Sequence, residues 1–220
     1  MAEKNLSAFD VLSDHLAPLA GKTVLDIGCG AGRLRALLEE AGAHWRGLEP
    51  FPPDDAPDDI DRAPAEAMPY DDATFDAAVI LNALHHVPVA AMGDALHEAA
   101  RVIRPGGTLV VVEPKAEGAL SRVIAVVDDE TEIRHAAQAA MDEAVAAGAF
   151  QQVADFGYER TERYPDFDVF RERIAAATPE RAALIRARID ALRAAFETHA
   201  VRRDDRWTLA QPMAVRVLRT

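Results

Sequence analysis

The chain has 220 residues and a net charge of −13, and half of its residues are hydrophobic, so it is long enough to bury a core. No apolar run reaches the ~18 residues that a membrane-spanning helix needs. The single cysteine, Cys29, excludes an intrachain disulfide and a cysteine-cluster metal site, and it favours a cytoplasmic protein.

Hydrophobic spacing predicts a leading helix over residues 6–19, closed by Pro18 and Gly21. A strand at 23–27, a glycine turn and a helix at about 32–41 follow. The next predicted elements are short strands at 44–48 and 60–62, a buried strand at 77–81, a helix at 89–103 and a strand at 108–112.

Proline-rich residues 50–59 predict an irregular connection where an alternating α/β chain would normally have a crossover helix. The later elements are a helix at 130–147, a strand at 152–158, helices at 167–177 and 179–200, and an alternating strand at 213–218. The chain therefore reads as strands and helices in alternation.

Charge is unevenly distributed along the chain. Residues 160–220 contain 13 of the 24 basic residues but only nine of the 37 acidic ones. The preceding part is strongly acidic, which argues against binding of nucleic acid by the body of the protein. In the Arg-rich end the arginines alternate with acids, which is typical of solvated helix faces.

The turn after the first long strand is the most informative stretch. Asp26 lies at the end of the strand, and Gly28, Gly30 and Gly32 follow at alternate positions. Glycines permit a positive φ and a close approach of backbone to a ligand. Arg33 stands where the dinucleotide pattern has its third glycine, and an acid beside a pyrophosphate would be repelled. The pattern thus argues against NAD and favours a ligand with a cationic group.

A second acid, Glu49, lies at the tip of the next strand, near the ~20-residue offset at which a carboxylate reaches ribose hydroxyls. With the glycine turn, this pattern resembles the class I S-adenosylmethionine-dependent methyltransferases. Three further segments carry the same resemblance, at residues 65–70, 75–86 and 101–109. The matches cover about residues 23–114.

The resemblance implies an α/β fold: a doubly wound, mostly parallel seven-stranded sheet (a Rossmann-like methyltransferase fold) with an antiparallel final strand and a helical cap. We expect a single methyltransferase domain over residues 1–220. Its core comprises about residues 20–114 with C-terminal strands near 152–160 and 208–219. Residues 115–150 and 165–202 are expected to be helical elaborations on the substrate side.

The resemblance also implies S-adenosyl-L-methionine as cofactor. The backbone of the glycine turn and Asp26 would hold its amino-acid part, Glu49 its ribose, and Asn82 would lie along its methionyl arm. The loop that begins at Ala65 would frame the adenine, with Glu66 as acceptor because Pro64 replaces a frequent Asp. The expected cofactor-binding residues are Asp26, Gly28, Gly30, Gly32, Glu49, Ala65, Glu66, Ala67, Met68 and Asn82.

Two consecutive histidines, His85 and His86, are the candidate catalytic residues, as bases or as substrate-orienting groups. Consecutive side chains must point in different directions, so at most one is expected to face the ligand, and His85 is favoured. The other is read as a structural histidine. No metal site is predicted, because Glu132 and His135 share a helix face better explained as a charged solvent face.

The predicted function is transfer of a methyl group to O, N or S of a small molecule by in-line displacement. One alternative is an RNA- or protein-modifying methyltransferase that docks through the Arg-rich end. Another is a non-catalytic protein that binds a nucleoside-type or NAD-linked ligand. The acceptor and the oligomeric state are not determined by the sequence.

Overall fold

The computed structural model describes residues 6–176 and 178–220. Its strands are β1 (Thr23–Ile27), β2 (His44–Leu48), β3 (Ile60–Asp61), β4 (Phe75–Leu81), β5 (Ile103–Pro114), β6 (Gln151–Tyr164), β7 (Val201–Arg203) and β8 (Arg206–Arg219). Its helices are α1 (Ala8–Leu16), α2 (Arg35–Glu40), α3 (Met92–Val102), α4 (Ala119–Ile124), α5 (Thr131–Ala146), α6 (Phe167–Ala175), α7 (Pro179–Ala187) and α8 (Ile189–His199).

The chain divides into two compact units. Unit 1 contains the described residues up to Glu113, together with His135–Tyr158 and Ala214–Thr220. Unit 2 contains Pro114–Arg134 and Glu159–Met213. The single domain expected over residues 1–220 stays a prediction.

In the described residues the sheet has eight strands, where seven were expected. Seven of them have the order β3-β2-β1-β4-β5-β8-β6, and the short β7 is the additional strand, paired to β8. Parallel pairs join β1 to β2 and β4, β2 to β3, and β4 to β5. At the last residue, the Thr220 N–H donates to the Gly107 carbonyl (3.2 Å), and the Gly106 N–H donates to the Thr220 carbonyl (3.0 Å). The predicted mostly parallel sheet with an antiparallel final strand is confirmed.

The order of the strands decides where a ligand can bind. The chain crosses from β1 to β2 on one side and later returns to β4 on the other, so the order reverses at β1. In open α/β sheets, ligands bind beyond the carboxyl ends of the strands at such a switch point. The ends of β1, β2, β4 and β5 are therefore the edge at which to look for a site.

The core of unit 1 lies around β1 and β4. Val24, Leu25, Ala78 and Val79 are fully buried, as expected of parallel strands covered on both faces by helices. The leading helix α1 packs against β4. It begins with a capping box, in which the Asp10 N–H donates to the Ser7 hydroxyl and the Asp10 carboxylate accepts from the Ser7 N–H.

Unit 2 has an aromatic core of its own. The rings of Phe170 and Phe196 lie 4.9 Å apart and pack with Tyr164 and Phe167, all buried. Around this core α4 packs against α8, and α7 packs against α6 and α8. The strands β7 and β8 form an antiparallel hairpin. Among residues 6–176 and 178–220, no helix combines the length and the apolar character needed to cross a membrane.

Several predicted boundaries were wrong. The strands expected at 152–158 and 213–218 are longer, since β6 continues to Tyr164 and β8 begins at Arg206. The helix expected from about residue 32 begins at Arg35, because the preceding glycines have left-handed φ angles that no right-handed helix accommodates. The strand expected at 108–112 begins at Ile103. The helix expected over 179–200 is two helices, interrupted at Arg188, where φ is −122° and ψ is 26°.

The short elements α4 and β7 were not predicted, and the predicted end of a helix at Ala177 lies outside the described residues. Residues 50–59 form turns and irregular backbone, so the crossover helix is absent from this described stretch, as predicted.

Candidate functional site

The glycine turn that follows β1 is hydrogen-bonded to the end of β2 and lies close to Ala83, which follows β4. The N–H groups of Gly28 and Cys29 donate to the Leu48 carbonyl at the end of β2, at 2.8 and 3.2 Å. A Cβ at Gly28 would lie 2.4 Å from the Cβ of Ala83, just beyond β4, and its φ of +71° disfavours any other residue. Glycine is therefore required at this position both for space and for conformation.

The carboxylate of Glu49 lies against this turn. It accepts a hydrogen bond from the Gly30 N–H at 3.0 Å and one from the Phe51 N–H at 3.2 Å. Each bond uses a different carboxylate oxygen, so each oxygen keeps a lone pair for a further donor. Glu49 thus both braces the turn and remains able to accept from hydroxyl groups.

Asp26 is buried at the end of β1 and accepts a hydrogen bond from the Trp45 indole N–H at 3.2 Å. Burial raises the pKa of Asp26 from 3.8 to about 7; the Trp45 hydrogen bond opposes this increase, and the charge of Glu49 adds to it. The carboxyl is therefore close to its titration midpoint at neutral pH. A cation placed beside it would favour the ionised form.

The thiol of Cys29 lies in the same turn. Burial, together with the negative charges of Asp26 and Glu49, raises the pKa of the Cys29 thiol to about 12. The thiol is protonated at neutral pH and is a poor nucleophile.

The loop that contains Ala65, Glu66, Ala67 and Met68 is held by α3. Ala65 and Met68 are buried, Glu66 is half-buried and Ala67 is exposed. The Met68 N–H donates to the Glu98 carboxylate at 2.9 Å, and the Arg101 guanidinium donates to the Met68 carbonyl at 3.2 Å. Sequence reasoning did not identify Glu98 and Arg101, although their i, i+3 spacing on a helix was a visible signal.

Asn82 follows β4 with a left-handed φ of +52°, a conformation that asparagine tolerates better than most residues. Its N–H donates to the Val112 carbonyl of β5 at 2.8 Å. Its side-chain oxygen Oδ1 is buried and has no hydrogen-bond partner among the described residues. A buried acceptor without a donor is costly, so this atom marks a position where a donor on a ligand would be stabilising.

The two histidines occupy different environments. His85 is buried, and its Nδ1 is hydrogen-bonded to the carboxylate of Glu113, which is also buried, at the end of β5. His86 is exposed, with its ring centroid 4.1 Å from that of His85. Glu113 was missed as a site residue, although an acid at the carboxyl end of a strand next to β4 was a signal available in the sequence.

The site residues thus gather in two linked groups. Asp26, the glycine turn and Glu49 share the ends of β1 and β2, while Asn82, His85 and Glu113 share the ends of β4 and β5. The close approach of Gly28 to Ala83 joins the two groups. The arrangement can bind a polyhydroxylated, partly cationic ligand beside a buried histidine.

Comparisons with known proteins point in the same direction. Residues 25–111 match the family described as a methyltransferase domain. An uncharacterized methyltransferase of Mycobacterium bovis is 39% identical over 109 residues, which represent 45% of this chain and 42% of that relative. The chain therefore spans less than half the length of the curated relative that it matches.

Solved structures share the fold across most of the chain. A candidate methyltransferase from Bacillus halodurans superimposes with a TM-score of 0.65 at 19% identity, covering 97% of this chain and 99% of that one. The 1,6-didemethyltoxoflavin-N1-methyltransferase of Burkholderia thailandensis has a TM-score of 0.50 at 18% identity, covering 95% and 76%. It was solved with bound 1,6-didemethyltoxoflavin and S-adenosylhomocysteine.

Proposed function

We propose that this chain is a class I S-adenosylmethionine-dependent methyltransferase and that it transfers a methyl group to O, N or S of a small molecule. The observation that carries this proposal is the Glu49 carboxylate, which is hydrogen-bonded to the Gly30 N–H and keeps lone pairs for further donors.

The residues of the sheet edge fit S-adenosylmethionine. Glu49 would accept from the ribose hydroxyls, and the carboxyl of Asp26 would favour the cationic amino-acid part. The buried Oδ1 of Asn82 lacks a donor among the described residues, and the ligand's ammonium group would supply one. Ala65, Glu66, Ala67 and Met68 would frame the adenine, in a loop held by Glu98 and Arg101.

When bound, the cofactor supplies a methyl group on a sulfonium sulfur, which is activated for in-line displacement. The contribution of the chain is to hold the acceptor in line with that methyl group, to exclude water and to receive a proton. Alignment of this kind can contribute about 7–11 kcal/mol to lowering the barrier. His85, buried at the end of β4, is the proposed proton acceptor, and His86 is the exposed alternative.

A small-molecule acceptor is favoured by charge. Residues 1–159 are strongly acidic, which disfavours binding of a polyanion to the part of the chain that contains the cofactor residues. The Burkholderia neighbour, whose name gives a small heterocycle as its acceptor, is consistent with this choice.

The experiment is a transfer assay with S-adenosylmethionine labelled in the methyl group. Purified protein is incubated separately with a low-molecular-mass cell extract, with total RNA and with a mixture of denatured proteins. Label in the low-molecular-mass pool is the expected result, and Glu49→Ala should abolish most of it. The exposed Glu143→Ala is the matched control and should transfer as wild type does.

Two other results would contradict the proposal. Label found in RNA or protein would assign the acceptor to a macromolecule; for RNA, transfer should also fall steeply with added salt. No binding of S-adenosylmethionine by the wild-type protein would refute methyl transfer altogether.

A further inference from the structure

Glu113 is the most enclosed carboxylate at the sheet edge, with 1% of its surface exposed. One oxygen, Oε1, accepts from the N–H groups of Ala83 and Leu84, both at 2.9 Å. The other, Oε2, faces Nδ1 of His85. Both backbone donors bind Oε1, which leaves Oε2, as a carboxylate oxygen, to accept from the imidazole ring.

This arrangement determines which nitrogen of His85 carries the proton. Neutral imidazole has one N–H donor and one acceptor nitrogen, and the partner of one nitrogen selects the tautomer. Since Glu113 can only accept, Nδ1 of His85 must donate. The lone pair of the neutral ring is then on Nε2.

The same carboxylate also accepts hydrogen bonds from the backbone segment that immediately precedes His85. Ala83 and Leu84 immediately precede His85, and both N–H groups end on Glu113. The short 3₁₀ turn Leu84–His86 is therefore anchored to β5 at its first residues as well as through the imidazole. The Glu113 carboxylate therefore holds both the side chain of His85 and the backbone that precedes it.

We infer that Glu113 is a positioning residue, which holds His85 in the Nδ1–H tautomer so that Nε2 can accept a proton from the methyl acceptor. This inference rests on the proposed function for its role in catalysis. In the Ser-His-Asp triad a buried carboxylate orients a histidine base in the same way, and its amide replacement gives the wrong tautomer.

The test is Glu113→Gln, which keeps the shape of the side chain and one oxygen for the N–H groups of Ala83 and Leu84. The amide nitrogen would then face Nδ1 of His85 and could only donate, so the ring must change to the Nε2–H tautomer. Long-range proton–nitrogen correlation spectra of ¹⁵N-labelled protein distinguish the two tautomers. The His85 signals are assigned by their loss in His85→Gln, and the exposed Glu143→Gln is the matched control.

The expected result is the Nδ1–H tautomer of His85 in the wild type and in Glu143→Gln. In Glu113→Gln the expected result is the Nε2–H tautomer. An unprotonated Nδ1 of His85 in the wild type would overturn the inference, even if Glu113→Gln did not fold. An unchanged tautomer in folded Glu113→Gln would overturn it equally.

Activity gives a second, independent measurement. Once an acceptor is in hand, kcat of Glu113→Gln should fall by about 10²- to 10⁴-fold, the range that general base catalysis contributes. The affinity for S-adenosylmethionine should stay within about threefold of wild type. An unchanged kcat would overturn the positioning role. Failure of the proposed function would be seen separately, as no binding of S-adenosylmethionine by a wild-type protein whose His85 signals are those expected.

Discussion

Replacing Asp26 by asparagine should change how the stability of the fold depends on pH. The folded state holds the Asp26 proton up to about pH 7, whereas the unfolded chain releases it near 3.8. Between these values, stability falls as pH rises, by about 1.4 kcal/mol per pH unit. Below about pH 3.8 no stability is lost. Above about pH 7 the loss is complete and amounts to about 4 kcal/mol.

Asp26→Asn removes this titration but keeps an oxygen that can accept from the Trp45 indole. Any constant cost of burying the amide cancels when two pH values are compared. The free energy of unfolding of the variant, relative to wild type, should therefore increase by about 2–3 kcal/mol between about pH 5 and about pH 8.

The assay is urea unfolding with linear extrapolation at the two pH values. Asp94→Asn, on an exposed residue of α3, controls for the exchange of a carboxylate for an amide. The same pH dependence in wild type and Asp26→Asn would show that burial does not hold a proton on Asp26.

Three further substitutions test other parts of the account. Gly28→Ala should destabilise by about 1–3 kcal/mol more than Gly30→Ala, which has a similar positive φ but open space around its Cβ; equal melting temperatures would contradict this. Phe196→Ala should cost about 3–5 kcal/mol in urea unfolding, while the 40% exposed Leu184→Ala costs about 0.5 or less. Arg101→Lys should weaken the binding of S-adenosylmethionine by about threefold to tenfold in calorimetry, because lysine cannot donate to the Met68 and Tyr70 carbonyls together. Unchanged affinity would contradict the placement of this loop against the cofactor.

Short stretches of sequence were enough to predict which residues lie at the carboxyl edge of the sheet. The apolar segments of β1, β2 and β4, the glycines and the acid at the tip of β2 are all contiguous signals, and each lies where the pattern indicates. Parallel strands joined by short helices bring their carboxyl ends to one edge. The approximate location of the candidate site therefore follows from residues that are neighbours in sequence.

The parts that the sequence did not reveal depend on partners far along the chain. The extension of β5 through Gly106 is accompanied by hydrogen bonds with Thr220, more than 100 positions later, which the local sequence does not show. The break at Arg188 coincides with a hydrogen bond from its guanidinium to the Val126 carbonyl at 2.8 Å.

Glu113, within the candidate site, also depends on partners that lie far from it in the sequence. Its role depends on three donors contributed by residues 83–85, about 30 positions earlier. Nothing in the local sequence around Glu113 shows those donors, and only the parallel pairing of β4 with β5 brings them together.

The most direct test of the account is isothermal titration of the wild-type protein and Glu49→Ala with S-adenosylmethionine. We expect binding of one cofactor per chain, weakened by about tenfold or more when the Glu49 carboxylate is removed. Equal affinity in the two proteins would contradict the placement of the cofactor at the glycine turn, and no binding by wild type would contradict the proposed function.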